Sequence, residues 1–464
     1  MMRALHSRPA TATATAKGIT PWPSRQRAIY VIGVLFVLTL LSQLDRQLPA
    51  LVVKPLRKEF GLTDTGFSLL QGYAFAAFYT LAGLPLGRLV DSGNRRNIIC
   101  CGLLAWSAST ALFAFGSSYL QLLLARMGVG IGEAVLAPAA YSMIADHVMP
   151  ARRGKALAAY YVSIAIGSGA SLLLGGWLLS VIPAQGLSVG SLGLLPAWRV
   201  AFLAAAVPAI PLAVLLLLSV REPARHEDHL AAPPVVTPSL RDFAAHLRAH
   251  AATFGRVLLY PALLSIIGYG ALAWAPALFD RRFGMPPSTS GVILGLIVAG
   301  AGASGTLLSG TLSDAWKARG VEAARLRVAL VGLSLASLPA IAWPLMPTPD
   351  LSFSLLFLTV LGLALAQSAA PSAIQEIVPN RMRGQAIAVY LLLAGLLGIG
   401  LGPTTVALVT DRIFHDDHAL PWSLALTAAP AALFGLWILG SGLKPYAATL
   451  HQLQDGTRSR AATS

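Results

Sequence analysis

Charged residues are scarce in this chain of 464 residues: they make up 11% of it, whereas 56% of the residues are hydrophobic. Soluble domains are about a quarter charged, so this composition excludes an ordinary soluble protein. The formal net charge of +15 does not indicate nucleic-acid binding, because the basic residues stand in short loops between apolar runs. We therefore predict a membrane protein without a nucleic-acid partner.

Cysteine is nearly absent as well. The two cysteines, Cys100 and Cys101, are adjacent and cannot form a disulfide framework. We predict that they are small packing residues in a helix. The sequence also lacks a GxxxxGK[ST] loop, so direct drive by ATP within this chain is not expected. No cofactor and no metal site are predicted.

Long apolar runs are abundant. About twelve stretches of roughly 20 apolar residues are long enough to cross a membrane, and they are too continuous for the strands of a membrane barrel. They run over residues 28–53, 66–90, 97–116, 119–146, 155–181, 198–220, 254–279, 288–313, 327–346, 352–378, 383–410 and 420–441. The sequence predicts an all-α membrane protein with twelve transmembrane helices.

Lysine and arginine are unevenly divided between the two sides of the membrane. With a cytoplasmic N-terminus, seven of the 34 basic residues fall in outer loops: Lys54, Arg57, Lys58, Arg199, Arg281, Arg282 and Arg412. Because positive charge accumulates in cytoplasmic loops, we predict that both termini are cytoplasmic, in a bacterial inner membrane. The first apolar run ends without a cleavage site and is predicted to be retained.

The spans divide the chain into five predicted regions. They are a disordered cytoplasmic tail (1–27), a six-helix bundle (28–220), a cytoplasmic linker (221–253), a second six-helix bundle (254–441) and a cytoplasmic tail (442–464). In the linker, Ser239 and Asp242 form a potential capping box, and apolar residues follow at helical spacing. This pattern predicts a short amphipathic helix at the membrane surface, with a solvated linker as the alternative. We expect a monomer.

Two short motifs recur in the second half. GRLVD at residues 87–91 matches GTLSD at residues 310–314, an offset of 223. RGKALAAY at residues 153–160 matches RGQAIAVY at residues 383–390, an offset of 230. The repeat predicts two parallel six-helix halves with a substrate site at their interface, near the middle of the membrane.

The repeated turns are candidates for a cytoplasmic gate. Glycine permits close helix approach, and a carboxylate at a helix end can pair with arginine or with a helix N-terminus. We assign the gate to Gly87, Asp91, Arg95, Arg96, Asp314, Arg153 and Arg383. Asp91 and Arg95 would hold the inside closed in one state, and a permanent loop clasp is the alternative.

These motifs resemble the major facilitator superfamily over nearly the whole chain. GRLVDSGNRR is similar to the family's loop motif GxLxDRxGRR, from which it departs at Ser92 and Asn94. LLLARMGVGIGEA resembles its fourth-helix motif, whose arginine (here Arg126) is linked with proton coupling. Asp45-Arg46, GFSLLQGYAFAAFY, GVGIGEA and IGSG together look like the spinster-like transporters. That resemblance implies proton-coupled movement of lysophospholipids or sphingolipids.

Four ionisable residues, Asp45, Arg46, Arg126 and Glu133, lie inside the predicted spans. Charges at this depth are costly and usually functional. At about 1.5 Å per residue, Asp45 and Arg126 both lie roughly 10 Å below the outer boundary, which predicts an ion pair between them. Glu133 lies two turns deeper and is assigned no partner, and Arg46 would complete the network or meet an anionic headgroup. We interpret the four as a proton-coupling site; a fixed structural network is the alternative.

Glycines and polar side chains within the spans predict close packing and an amphipathic cavity. Gly128, Gly130 and Gly132, like the glycines at residues 291–310, are expected to let helices approach, because no strand precedes them as a dinucleotide fingerprint requires. Candidate cavity residues are Gln71, Tyr73, Tyr79, Tyr160, Ser163, Tyr269, Trp274, Gln367, Ser368 and Tyr390.

The favoured function is proton-coupled secondary transport of a lipid-like amphiphile by alternating access. The main alternative is a multidrug or small-solute antiporter, but the expected Gly-Pro-rich fifth helix is matched only in glycine, at Gly167, Gly169, Gly175 and Gly176. A membrane enzyme such as an acyltransferase is less favoured. None of the nine histidines lies inside a predicted span, and no nucleophile–base spacing is found.

Overall fold

The fold is that of a computed structural model, which describes residues 22–190, 193–225, 239–379 and 382–462. The first half contains α1 Arg25–Gln47, α2 Val53–Phe60, α3 Asp64–Ser68, α4 Ala74–Ser92, α5 Arg95–Phe115, α6 Tyr119–Glu133, α7 Leu136–His147, α8 Pro150–Val181, α9 Ala197–Ala206 and α10 Ala209–Ser219. The second half contains α11 Leu240–Ala249, α12 Ala251–Phe283, α13 Pro287–Ala318, α14 Ala324–Ala342, α15 Pro349–Glu376, α16 Arg383–Leu393, α17 Gly402–Leu408 and α18 Leu420–Ala462. Most of the predicted N-terminal tail and residues 226–238 of the predicted linker lie outside the described residues.

Within the described residues, eleven helical stretches are long and apolar enough to cross a membrane. The apolar segment Ile166–Val181 of α8 supplies the twelfth. The predicted all-α architecture with twelve helices is confirmed. Among the described residues, the β-structure is a short antiparallel hairpin between α8 and α9, formed by β1 Leu187–Ser188 and β2 Leu194–Leu195.

The predicted linker helix is present as α11, and it begins at the predicted capping box. The Asp242 N–H donates to Ser239 Oγ at 3.2 Å, and the Ser239 N–H donates to Asp242 Oδ2 at 3.0 Å. The Ser239 hydroxyl also donates to Asp242 Oδ2, at 2.7 Å, and this bond, together with the one from the Ser239 N–H, lowers the pKa of the Asp242 carboxyl. Phe243 is buried in the apolar core of the second half, so α11 is packed onto that half.

The last helix, α18, is continuous over 43 residues. It starts at Leu420 and passes residue 441, where the final span is predicted to end. The region predicted as a C-terminal tail therefore extends the last helix as far as Ala462. We call the end of the molecule where α1 begins and α18 ends the inner end, and the opposite end, at α2, the outer end.

Glycines on α6 let it pack closely on its neighbours, as predicted. A Cβ at Gly130 would meet the carbonyl oxygen of Phe75 at 2.7 Å, and one at Gly132 would meet the backbone nitrogen of Trp106 at 2.7 Å. Neither backbone can move aside cheaply, so any larger residue would push α6 away from α4 or α5.

The two halves pack together along α8 and α13. A Cβ at Gly295 would meet the carbonyl oxygen of Gly169 at 2.5 Å and the backbone nitrogen of Leu173 at 2.6 Å. Gly291 is similarly confined by Leu51 and Gly176 of the first half, whereas Gly305 is confined by Leu361 of α15, within the second half. For Gly300 and Gly310 the packing prediction is wrong, because an added Cβ would meet no atom within 4 Å.

The confined glycines between the halves lie toward the outer end. Gly72, at the outer part of the second span, faces the carbonyl oxygen of Ile399, which a Cβ would meet at 2.5 Å. Toward the inner end, added Cβ atoms at Gly83, Gly87 and Gly384 would meet nothing within 4 Å. The halves thus meet at the outer end and part toward the inner end.

Candidate functional site

The four ionisable residues predicted at membrane depth come together between α1 and α6. Asp45 and Arg46 lie in the last turn of α1, and Arg126 and Glu133 lie two turns apart on α6. Asp45, Arg126 and Glu133 are at most 2% exposed, whereas the Arg46 side chain is 22% exposed. Charges buried to this degree need partners, and the partners define the site.

Glu133 is firmly paired with Arg46. Arg46 Nε lies 2.7 Å from Glu133 Oε2, and Ser42 Oγ donates to the same oxygen at 2.8 Å. Ser42 and Arg46 are one helical turn apart, so one face of α1 holds the carboxylate. The partner of Glu133, which the sequence left open, is therefore Arg46.

Asp45 and Arg126 meet through the main chain, not through an ion pair. Arg126 Nη1 donates to the carbonyl oxygen of Asp45 at 3.0 Å, and Nη2 donates to that of Gln71 at 3.1 Å. The Asp45 carboxylate instead accepts a hydrogen bond from Thr110 Oγ1 on α5 at 3.0 Å. The predicted pairing is wrong because Asp45 is in the last turn of α1, where a carbonyl lacks a helical partner and attracts the guanidinium.

Phe75 of α4 lies between the two arginines. The Arg46 guanidinium carbon is 4.8 Å from its ring centroid, and that of Arg126 is 5.5 Å away. Tyr79 stacks on Phe75 and also lies under Arg46, at 4.8 Å. These cation–π contacts hold both guanidinium groups without neutralising them, whereas Glu133 balances the charge of Arg46.

Arg46 and Arg126 line a cavity between the two halves. The first half contributes Gln43, Gln47, Gln71, Gly72 and Phe75 as well, and the second contributes Tyr269, Leu272, Ala273, Ile399 and Pro403. Of the predicted cavity residues, Gln71 and Tyr269 line this cavity, and Tyr79 adjoins it through Arg46. The cavity combines cations, amides and apolar surface.

The remaining predicted cavity residues lie elsewhere. Gln367 donates to Ser265 and to Tyr390 at 3.3 Å, which forms a polar cluster within the second half. Ser368 donates to Thr306, and Trp274 donates to the carbonyl oxygen of Pro403 from a fully buried position. The others pack in the first half or point outward: Tyr160 and Ser163 are buried, and Tyr73 is 45% exposed.

A network of ion pairs joins the halves at the outer end. Asp64, which is fully buried, binds Arg281 of the second half through both carboxylate oxygens, at 2.6 and 2.7 Å. Arg57 Nη1 lies 3.0 Å from Asp64 Oδ1 and 2.7 Å from Asp417 Oδ2. Burial opposes the charge of Arg57, but its hydrogen bond to Asp417 and the charge of Asp64 outweigh burial and raise its pKa. A backbone hydrogen bond from Thr65 to Asp411, 2.7 Å long, adds a further link.

Sequence reasoning did not find this network, although it placed Arg57 and Arg281 in outer loops. The usable signal was the set of acidic residues in the same loops, namely Asp64, Asp280, Asp411 and Asp417. The number of basic residues in the loops predicts only the orientation in the membrane. Matching those residues with acidic residues in the outer loops of the other half would have predicted a contact between the halves at the outer end.

At the inner end, the predicted gate residues are not assembled into an inter-half contact. Asp91 and Asp314 are exposed, and Asp91 makes no ion pair with a described residue. Arg95 is fully buried in the first half, where it pairs with Asp146 and, at 2.6 Å, with Glu222. For Arg95 this is the loop clasp that was the alternative interpretation. A gating role for Gly87 and Asp91 stays a prediction about a state closed at the inner end.

The other basic gate residues close helix ends within their own halves. Arg153 Nε donates to the carbonyl oxygen of Ala145 at 2.9 Å, and Arg383 Nε donates to that of Gln375 at 3.1 Å. In both cases the acceptor carbonyl lies eight residues earlier in the sequence, near the end of the preceding helix. The Arg96 N–H donates to Glu222 Oε2 at 2.9 Å.

The clasp at Arg95 has a counterpart in the second half that the motif comparison missed. Arg325 Nε lies 2.8 Å from Glu376 Oε1, and Lys317 Nζ lies 2.7 Å from the same atom. Arg325 lies 230 residues after Arg95, and Glu376 lies 230 residues after Asp146. The same offset separates Arg153 from Arg383. Extending that offset along the sequence would have found both pairs.

Replacing Arg95 with alanine is expected to destabilise the protein strongly. The change leaves two carboxylates without their buried cation, and breaking such a contact costs about 3–5 kcal/mol. Arg325→Ala is the matched control, with a smaller expected loss because this side chain is 21% exposed and Glu376 keeps Lys317. Thermal unfolding of both variants in detergent measures the difference, and equal losses would contradict the clasp.

Comparison with known proteins places these features in a family context. The family model described as Major Facilitator Superfamily matches residues 35–403. An "MFS-type efflux pump" of Mycolicibacterium smegmatis is 32% identical over 88% of this chain and 91% of its own length. The "Sphingosine-1-phosphate transporter SPNS2" of Danio rerio is 33% identical over 34% of this chain and 34% of its own length. A crystal structure of a bacterial homolog of the human lysosomal transporter Spinster, described as inward-facing and unoccupied, superimposes with a TM-score of 0.76 at 26% identity, over 92% of this chain and 98% of that one.

Proposed function

The chain belongs to the major facilitator superfamily, and from this we propose that it is a proton-coupled secondary transporter of a lipid-like amphiphile, working by alternating access. It is a spinster-like membrane transporter and not an enzyme. The observation that carries the proposal is the cluster of two buried carboxyls and two arginines beside the cavity between the halves.

Proton coupling is supported by the contact between Arg46 and Glu133. While Glu133 is ionised, it binds Arg46, with 2.7 Å between Glu133 Oε2 and Arg46 Nε. A proton taken up by Glu133 would weaken that ion pair and free a partly exposed guanidinium for an anionic group of the substrate. Asp45, whose carboxylate is held by a hydroxyl, is the second proton carrier that we propose. Proton binding and substrate binding would then be linked through Arg46.

An amphiphile with an anionic headgroup fits the surroundings best. The cavity presents two guanidinium groups, which bind phosphate or carboxylate well. The rest of its wall includes apolar side chains such as Leu272 and Ile399. One relative bears the name of a sphingosine-1-phosphate transporter, which agrees with a phosphate head on an apolar chain.

The second candidate is efflux of drugs or small organic solutes. It is favoured by the 32% identity to a protein named as an efflux pump. The aromatic rings of Phe75, Tyr79 and Tyr269 around the cavity could accept flat or cationic compounds. Two arginines facing the same cavity weigh against a cationic substrate.

The arrangement in the membrane completes the proposal. We place the two bundles at residues 28–220 and 254–441, on either side of a linker at residues 221–253. The inner end faces the cytoplasm, with both termini there, in a bacterial inner membrane. The protein acts as a monomer, with lipids around it and protons as the coupling ion.

Uptake by purified protein in liposomes tests the function. With an imposed pH gradient, a fluorescent lysophosphatidylethanolamine should be taken up, and an uncoupler should stop the uptake. Asp45→Asn and Glu133→Gln should each lower the gradient-driven rate at least tenfold. The exposed carboxylate variant Glu322→Gln should transport like the unmodified protein.

Two outcomes would refute parts of the proposal. If both carboxyl variants kept gradient-driven uptake, the coupling site would be wrong. If ethidium were transported and the lysolipid were not, the efflux function would replace the lipid function.

A further inference from the structure

The Asp45 carboxylate is held by α5, a helix that carries none of the four charged residues. Its oxygen Oδ1 accepts a hydrogen bond from Thr110 Oγ1 at 3.0 Å. Asp45 is 1% exposed and Thr110 is 2% exposed, so water does not compete freely for the contact. Arg126, the nearest candidate cation by depth, is turned to the carbonyl oxygen of Asp45. The neutral hydroxyl of Thr110 therefore holds the Asp45 carboxylate in place, as the Arg46 guanidinium holds that of Glu133.

A hydroxyl suits a carboxyl group that gains and loses a proton. Thr110 can donate to the charged carboxylate, and its oxygen can accept from the neutral carboxylic acid. In a helix, the hydrogen of a threonine hydroxyl has an alternative acceptor in the carbonyl four residues earlier. The same two side chains can thus stay in contact in both protonation states, which an arginine could not do.

The charges around Asp45 do not depend on this hydroxyl. Glu133 and Arg126 on α6 act on the Asp45 carboxyl through space, and Arg46 follows it on α1. The indole of Trp106, one turn before Thr110, also faces the carboxylate, but among the described residues its Nε1 has no partner at hydrogen-bond distance. Removing the hydroxyl of Thr110 therefore changes the hydrogen bonding of Asp45 and leaves its charged neighbours in place.

We propose that Thr110 is a positioning residue that sets the proton affinity of Asp45 by donating a hydrogen bond to its charged form. The inference rests on the proposed function, in which Asp45 carries a proton. It assigns to α5 a part in coupling, although α5 contributes no charge to the site and no residue to the cavity lining.

Thr110→Val tests the proposal, because valine keeps the shape of the side chain and removes the hydroxyl. Loss of a hydrogen bond to a charged group favours the neutral form, so Asp45 should hold its proton to higher pH, by about one pH unit, a tenfold change in proton affinity. Thr110→Ser should restore the unmodified value. Ser107→Ala is the matched control on the same helix, because Ser107 Oγ donates to the carbonyl oxygen of Ala206 and not to a carboxylate.

Infrared difference spectroscopy of the full-length protein in lipid, titrated with pH, supplies the readout. The carboxylic C=O band that disappears in Asp45→Asn identifies Asp45, and its midpoint is then followed in the other variants. The pH profile of fluorescent lysophosphatidylethanolamine uptake should move in the same direction. A midpoint in Thr110→Val equal to that of the unmodified protein, or a shift of the same size in Ser107→Ala, would overturn the inference.

The result also separates this inference from the proposed function. If Asp45→Asn removes no titrating band and leaves the pH profile of uptake unchanged, Asp45 is not a proton carrier and the proposed function loses that part. If the band exists and does not respond to Thr110→Val, only the role of Thr110 is refuted. Thermal unfolding of each variant in detergent confirms that the comparison is made between folded proteins.

Discussion

Gly295→Leu is expected to abolish transport, whereas Gly300→Leu on the same helix is expected to leave it nearly unchanged. A side chain at Gly295 would overlap the backbone of α8 at Gly169, where a Cβ already comes within 2.5 Å of the carbonyl oxygen. At Gly300 an added Cβ meets no atom within 4 Å. The first variant cannot close the contact between the halves at the outer end, so the transport cycle should stop.

Uptake of the fluorescent lysolipid in liposomes measures this difference, and the expected loss for Gly295→Leu is at least a hundredfold. Both substitutions add the same side chain to α13, so the gain in helix propensity over glycine is shared and cancels in the comparison. Comparable uptake by the two variants would show that the close approach of α8 and α13 is not needed for transport.

Asp64→Asn is expected to shift the protein toward a state open at the outer end. Asp64 binds Arg281 across the interface at 2.6 and 2.7 Å and Arg57 at 3.0 Å, and it is fully buried. Removing one partner from a buried ion pair costs about 3–5 kcal/mol. At about 1.4 kcal/mol per factor of ten, the closed state should lose at least a hundredfold in population relative to the open one.

Distances between spin labels at the outer end report this equilibrium. Cysteines at the exposed positions Lys58 and Arg412, with Cys101 replaced by serine, place one label on each half. Asp64→Asn should add a population with a longer distance. Lys54→Ala is the control, because Lys54 is 76% exposed and such a surface pair contributes little. An unchanged distance distribution in Asp64→Asn would mean that packing alone holds the outer end closed.

The helices could be predicted from the sequence because a span is fixed by the apolar length needed to cross the membrane. The burial of Asp45, Arg126 and Glu133 followed from the same reasoning about depth, whereas the repeat was predicted from the two matching motifs. Depth does not say which way a side chain points. Asp45 and Arg46 differ by about 1.5 Å in depth and by about 100° in direction, so depth alone could not decide which of them faces Glu133.

The same limit explains the mixed result for the cavity residues. Gln71 and Tyr269 line the cavity, whereas Trp274, predicted on the same grounds, is buried against Pro403. Composition identifies a polar head in an apolar span, but helix rotation decides whether it faces the cavity, the core or lipid. The conformational state was equally out of reach, because it depends on contacts between residues more than 200 positions apart, such as Asp64 and Arg281.

The length of α18 has a practical and mechanical consequence. At about 1.5 Å per residue, its 43 residues extend roughly 65 Å, about twice the thickness of the hydrocarbon core. A helix that starts at the outer end therefore continues well beyond the opposite membrane surface, with Pro430 and Pro445 as the interior positions where it can bend. When the second half tilts, the inner end of α18 moves with it, outside the membrane. The displacement of a reporter protein fused in helical register after Ala462 would therefore report the rocking motion of the second half.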